Sequence, residues 1–239
     1  MSDKDQTVPS TVACMSSEAL EQLVAIVAEL KRDDPMAPVT IIVPSNVAGR
    51  SVGWRLAAGL GDGRRGVAGL RITTLARLAE SVAAVHLQPR RPLLPSILAA
   101  AWRSELESVA ASGAPWEFAE VWDHPSTVAA LVTAYRELRE VPESCAFGEG
   151  AGSVPQETIG LARSVRNRLR QDWYDQQDLF ATASGLTTGK PAAFKEFGSI
   201  IHYLPGDEPG SAAKFIETLD ENLGIRTVHD EQPHHADRI

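Results

Sequence analysis

Cysteine is scarce: the 239-residue chain has only Cys14 and Cys145, far apart and without a CxxC pairing. That excludes a disulfide framework and a cysteine-based zinc site, and buried thiols are the expected state. Long apolar runs are lacking as well. No stretch reaches the roughly 18 residues needed to span a bilayer. The start, MSDKDQTVPS, has neither the basic nor the apolar region of a signal peptide. A cytoplasmic chain with no membrane partner is expected. A surplus of positive charge is also missing. The net charge of -8 excludes a protein coated in basic residues for indiscriminate nucleic-acid binding, though it leaves room for a local basic groove.

Catalytic signatures are equally thin. A phosphate-binding loop needs GxxxxGK[ST] after a strand, so that glycine backbone N–H groups and a lysine meet the phosphates. Met15-Ser16-Ser17 stands where that loop would follow the first expected strand. Gly185-Leu186-Thr187-Thr188-Gly189-Lys190 resembles the motif by eye, but has one residue too few between the glycines and is followed by Pro191. Glu29-Leu30-Lys31 matches the ExK of metal-dependent nucleases in letters only. It lies on a strong helical pattern, where the pair is expected on the outer surface. No GxSxG is present, and His86, His124, His202 and His229 lack local acid and nucleophile partners. His234-His235 with Asp237 sits in a polar tail. No catalytic residue, cofactor or metal ligand is therefore assigned, and no enzyme activity is expected of this chain alone.

What the sequence does contain is ordinary globular material, with 44% hydrophobic and 23% charged residues. The organising stretch is Val39 to Leu56. Val39, Ile41, Ile42 and Val43 form a short apolar run typical of a covered parallel strand, and Pro44 ends it. Ser45 or Asn46 can cap the helix that follows, which carries Val52, Leu56 and Leu60 on one face. Such a turn directs free backbone N–H groups above the sheet, a natural anion site, although any α/β domain has several.

Taken in order, Thr11 to Cys14 is a candidate strand. Leu20, Leu23, Val24, Val27 and Leu30 predict a helix over 17–31. Leu70 to Thr73 form another strand, with Thr74 as cap for a helix bearing Leu75, Leu78, Val82 and Val85. The proline-rich segment Gln88 to Pro95 opens a block that is helical in period to about Ser184, interrupted by Gly148 to Ser153. Its three long helices are marked by Trp102, by Tyr135 and by Ile159 through Trp173. Strand character returns at Ile200 to Leu204, a helix follows from Ser211 to Leu223, and a last strand spans Ile225 to Val228. Arginines cluster at Arg50, Arg55, Arg64, Arg65 and Arg71, and again at Arg163, Arg166, Arg168 and Arg170, where solvated helix faces are the plain reading. The expected architecture is α/β: a doubly wound, mainly parallel sheet with an inserted all-α subdomain. The sheet domain occupies 1–88 and 191–230, the insertion 89–190 and the tail 231–239.

Several of these segments resemble a known family. Val43-Pro44-Ser45-Asn46-Val47-Ala48-Gly49-Arg50, followed by Trp54-Arg55-Leu56, resembles motif Ia of superfamily 1 DNA helicases. Leu70 to Leu78 resembles the next block of that family, and Tyr174 to Leu179 is similar to the aspartate-rich end of the helical subdomain in UvrD and RecB-like helicases. With His124-Pro125-Ser126-Thr127 and the helix to Arg139, the chain looks most like the N-terminal part of actinobacterial AddB-type proteins of the PD-(D/E)XK nuclease family. The resemblance spans about Ala13 to Val228 and rests on motif order.

It implies a P-loop NTPase-like or helicase-like fold with a degenerate P-loop, incomplete because the later helicase motifs and the nuclease domain are missing. It further implies a noncatalytic module of DNA repair and recombination. Ser45, Asn46, Thr73 and Thr74 would face single-stranded DNA, with Arg50 and Arg71 nearby, and a helicase-nuclease subunit would be the partner. The alternatives are a protein-interaction scaffold that does not bind DNA, or a truncated fragment of a larger nuclease.

Overall fold

Leucines and valines recurring every three to four residues build the first helix, α1 (Ser17–Leu30), whose buried face is Ala19, Leu23, Val24 and Val27. In the computed structural model, which describes residues 17–61, 63, 65–141 and 152–230, this face packs on the strand that follows. All four residues of β1 (Val39–Ile42) are buried. The one polar member, Thr40, donates its hydroxyl to the Phe197 carbonyl at 2.8 Å, which removes the penalty of burying it. The expected strand at Thr11 to Cys14, both cysteines, most of the break from Gly148 to Ser153 and the histidine tail lie outside the described residues.

By its internal contacts the chain divides into two units, Met1–Thr74 with Phe197–Gly206 and Ile225–Ile239, and Leu75–Glu196 with Asp207–Gly224. The first is an α/β unit. Its sheet consists of β1, β2 (Leu70–Thr73), β5 (Ser199–Tyr203) and β6 (Arg226–Val228) in the order β2-β1-β5-β6. Every neighbouring pair is parallel. The fold is thus a mixed α/β arrangement of general Rossmann-like kind. Helix α2 (Asn46–Ala57) buries Ala48, Val52 and Leu56. These join α1 and the same-side residues Ile41, Ile201, Tyr203 and Val228 in one core. Each large aliphatic side chain fully buried there contributes roughly 1.5–3 kcal/mol.

The second unit is helical. Its α4 (Pro95–Ser112), α5 (Pro125–Glu140) and α6 (Ser153–Leu169) share a core around Trp102, Leu106, Leu131 and Val165. The Trp102 ring meets the edge of Tyr135 at 6.4 Å between centroids, a favoured aromatic geometry. Helix α7 (Gln176–Gly189) packs against both α3 (Leu75–Ala83) and α8 (Gly210–Leu223), with Phe180 against Phe215 at 6.0 Å. Helices α3 and α8, flanked in sequence by strands, share their contacts with α7 within this unit.

Four expectations are corrected. Arg91 and Pro92 form a two-residue strand, β3, parallel to β4 (Trp173–Tyr174), inside a block expected to be helical. Trp173 consequently belongs to that strand and not to the long third helix. Val85 falls in a 3-10 turn (Ala84–Leu87) and is exposed, so it is not on the buried face of α3. Lys31, expected on the surface with Glu29, is buried. Its ammonium donates to the carbonyls of Ala37, Ala68 and Gly69, the last two at 2.6 and 3.4 Å. Burial pulls its pKa below the ordinary lysine value. Glu29 does stay outside, paired with Arg226 at 2.8 Å.

Candidate functional site

Two turns leave the carboxyl edge of the sheet side by side. Ile42 stands opposite Thr73 in the ladder, and the Val43 N–H donates to the Thr73 carbonyl at 2.8 Å. The chain then turns at Pro44 and enters α2. Of the two possible caps, Ser45 is the one used: its backbone is extended, and its hydroxyl accepts from the Ala48 N–H at 3.2 Å. The first helical amides, those of Asn46 and Val47, have no place in the intrahelical ladder and point past the helix end. No acidic residue occupies that first turn, so the positive end of the helix dipole is not neutralised locally.

Ser45 and Asn46 are exposed, while Thr73 and Thr74 are half-buried in the neighbouring turn. The Thr73 hydroxyl donates to the Thr74 carbonyl at 3.4 Å. Arg50, one helical turn beyond Asn46, is exposed. Five of the six residues singled out from the sequence therefore lie at or near one edge. Arg71 is different. It stands two residues back from that edge, and its guanidinium lies 4.5 Å from the centroid of the Phe197 ring, just before the amino end of β5. That cation–π contact draws the charge away from the carboxyl edge. His202, opposite Ile42 on β5, is buried. Burial first, and the charge of His229 second, hold its imidazole below the usual value, so it adds no positive charge at neutral pH.

This edge can bind an anion through hydroxyls, amides and one exposed arginine. It holds no assembled acid–base pair. No group of three or more metal-ligating side chains exists among the described residues. The P-loop-like string Gly185 to Lys190 continues α7 to Gly189, so its amides are spent within the helix and cannot cradle phosphate.

A second concentration of charge lies where the sequence alone suggests only solvated helix faces. In the helical unit, a groove of about 940 Å³ is lined by Arg90, Arg139, Arg163, Arg166 and Arg170, with Asp175 and Asp178 as its carboxylates. Arg139 grips Asp175 through two bonds of 2.7 and 2.9 Å and reaches Asp178 at 3.0 Å. The two aspartates also form the reciprocal cap of α7. Burial raises the Asp175 carboxyl, but the Arg139 bonds and charge outweigh it and hold it below the usual carboxylate range. The phenol of Tyr135, which also lines the groove, is pushed up to about 12, chiefly by burial and then by the charge of Asp175. The spacing of the α6 arginines is visible in the sequence. Their convergence with Arg90 and Arg139 requires the tertiary fold.

No described helix is long and apolar enough to cross a membrane. Compared with known proteins, the chain matches no family model and no curated protein.

Proposed function

We propose that the chain is a noncatalytic, helicase-like module of the AddB type. It contacts single-stranded DNA, and a helicase-nuclease partner, during recombination and repair. The observation that carries the reading is the pair of adjacent turns at the carboxyl edge of β1 and β2, the position at which open parallel sheets bind their ligands. Ser45, Asn46, Thr73 and Thr74 supply hydroxyl, amide and backbone donors there, and Arg50 supplies charge. Donors of this kind position a phosphate backbone without reading its sequence. The motif resemblance falls on the same two turns. Within this reading the fold is a P-loop NTPase-like sheet whose nucleotide loop is degenerate.

The test is fluorescence anisotropy of the full chain with a labelled single-stranded oligonucleotide across a salt series. Arg50→Ala should weaken binding about two- to fivefold, the size of one exposed charge contact, and lower the salt slope by about 0.7. Arg71→Ala should change binding less, because its guanidinium is held on Phe197. Wild-type chain that is folded yet binds no DNA at low salt would sink the reading.

One observation favours the scaffold alternative. Val47 and Trp54 are 62% and 78% exposed. At i and i+7 they share the outer face of α2, on either side of Arg50. A protein partner seated on that stripe would be lost in Trp54→Ala while any DNA binding stayed unchanged.

A further inference from the structure

We propose that the arginine-lined groove of the helical unit is a phosphate-binding track. It takes the backbone of a nucleic-acid strand, or the phosphates of a free nucleotide, on Arg163, Arg166 and Arg170. This site is separate from the sheet-edge turns, and it stands whether or not those turns bind DNA.

Some of the groove's charges are already committed. Arg139 is spent on Asp175 and Asp178, and Arg90 lies 3.5 Å from Asp178. These four groups nearly neutralise one another. Arg163 and Arg170 are exposed, and their guanidinium groups have no ion-pair or hydrogen-bond partner among the described residues. Arg166, half-buried between them in sequence, is close enough for its charge to act on Asp175 and Tyr135. The groove thus retains a surplus of positive charge in a chain whose net charge is -8. The guanidinium groups of Arg163 and Arg170, with no partner among the described residues and set in one concavity, call for an anion.

Spacing narrows the class. Arg163, Arg166 and Arg170 follow at three and four residues along α6 and its cap, so their Cα atoms lie along one side of the helix over about 10 Å. A nucleic-acid strand carries one charge per about 3.4 Å of axis, so that length meets about three phosphates. A volume of about 940 Å³ is large for a single inorganic ion and suits a nucleotide-sized ligand. The walls are not wholly polar. Ile159, Leu169 and the half-buried Trp173 also line the groove, offering apolar surface for a base or sugar beside the charged rail.

The test uses the full chain and two charge-reversed pairs. Arg163→Glu with Arg170→Glu alters the groove. Arg32→Glu with Arg103→Glu makes the same change in net charge at exposed positions outside it. Binding of a labelled oligothymidylate is measured by anisotropy over a salt series, and binding of metal-free ATP by calorimetry, with thermal unfolding confirming the fold. The groove pair should bind the oligothymidylate at least about tenfold more weakly than the control pair, with a salt slope lower by about 1.4. ATP binding lost only in the groove pair, with the oligothymidylate unaffected, would support the same site and assign it to a free nucleotide. Should the groove pair misfold, Arg163→Gln with Arg170→Gln reads the same loss without charge reversal. A folded groove pair that matches the control pair toward both ligands overturns the proposal. So does DNA binding weakened by Arg50→Ala while the groove pair leaves both oligothymidylate and ATP binding untouched, which would leave the sheet-edge reading standing alone.

Discussion

Replacing Gly198 by alanine should destabilise the protein by at least about 4 kcal/mol, enough to leave a marginal domain largely unfolded. Gly198 adopts φ +62°, and a Cβ at that position would lie 1.8 Å from the Pro38 carbonyl oxygen. The left-handed backbone alone costs a non-glycine residue about 1–2 kcal/mol. The clash adds more, because the obstructing atom is backbone and cannot rotate aside. It is also in use: the Pro38 carbonyl accepts from the Ser199 N–H at 3.1 Å, at the start of the ladder between β1 and β5. Relief would require opening the centre of the sheet. Gly113 is the control. It has a similar φ of +69°, but a Cβ there would meet nothing within 4 Å, so Gly113→Ala should cost only about 1 kcal/mol. Urea unfolding of both variants, followed by circular dichroism, reads the difference. Equal midpoints would refute the close-approach argument.

Arg139→Ala should be the most damaging change of a charged side chain, at about 3–5 kcal/mol. The Arg139 and Asp175 side chains are only 10% and 14% exposed, so removing the guanidinium leaves a carboxylate poorly solvated and next to a second one. The same carboxylate caps α7, so the loss reaches a helix that packs on both α3 and α8. The pH dependence has a defined sign. Asp175 is held below the ordinary carboxylate value. Its contribution is therefore complete above about pH 4, the unfolded-state range, and is lost as pH falls through the lower folded-state value. Asp175→Asn should accordingly be less stable than wild type at neutral pH, with the gap narrowing at about pH 3. Unfolding midpoints at the two pH values provide the check, and a gap of constant size would remove Asp175 from the acid response.

The sheet unit is legible in the sequence where one residue type carries one instruction. Four apolar residues in a short run mark β1, a serine before a helical period marks the start of α2, and Gly224 marks the end of α8, where it takes the left-handed conformation. Legibility fails where the deciding partner is remote. Two-residue strands such as Arg91–Pro92 have no period to detect, and they exist because Trp173–Tyr174 lies alongside. Lys31 looks like a surface charge because its carbonyl acceptors come from residues 37, 68 and 69, two separate turns. The sheet-edge residues follow from local motifs, which locate a turn but not the direction of a side chain. Arg71 shows the difference, since its neighbours in the sequence give no hint of Phe197. The groove is least visible, because its arginines come from three segments and its aspartates from a fourth.

The strand order has a consequence for time. β1 sits between β2 and β5, and β5 begins at Ser199, long after the helical block has been made. During synthesis, β1 can pair on one side as soon as β2 emerges, but its other edge stays open until the helical block and β5 have left the ribosome. Loop-closure entropy grows only slowly with the length of the intervening block, so the wait weakens the finished sheet little. It lengthens the search for the β5 pairing, and it exposes an apolar, unpaired strand edge while that search continues. The most vulnerable moment of this molecule is therefore in its assembly, at the strand that ends as its best protected.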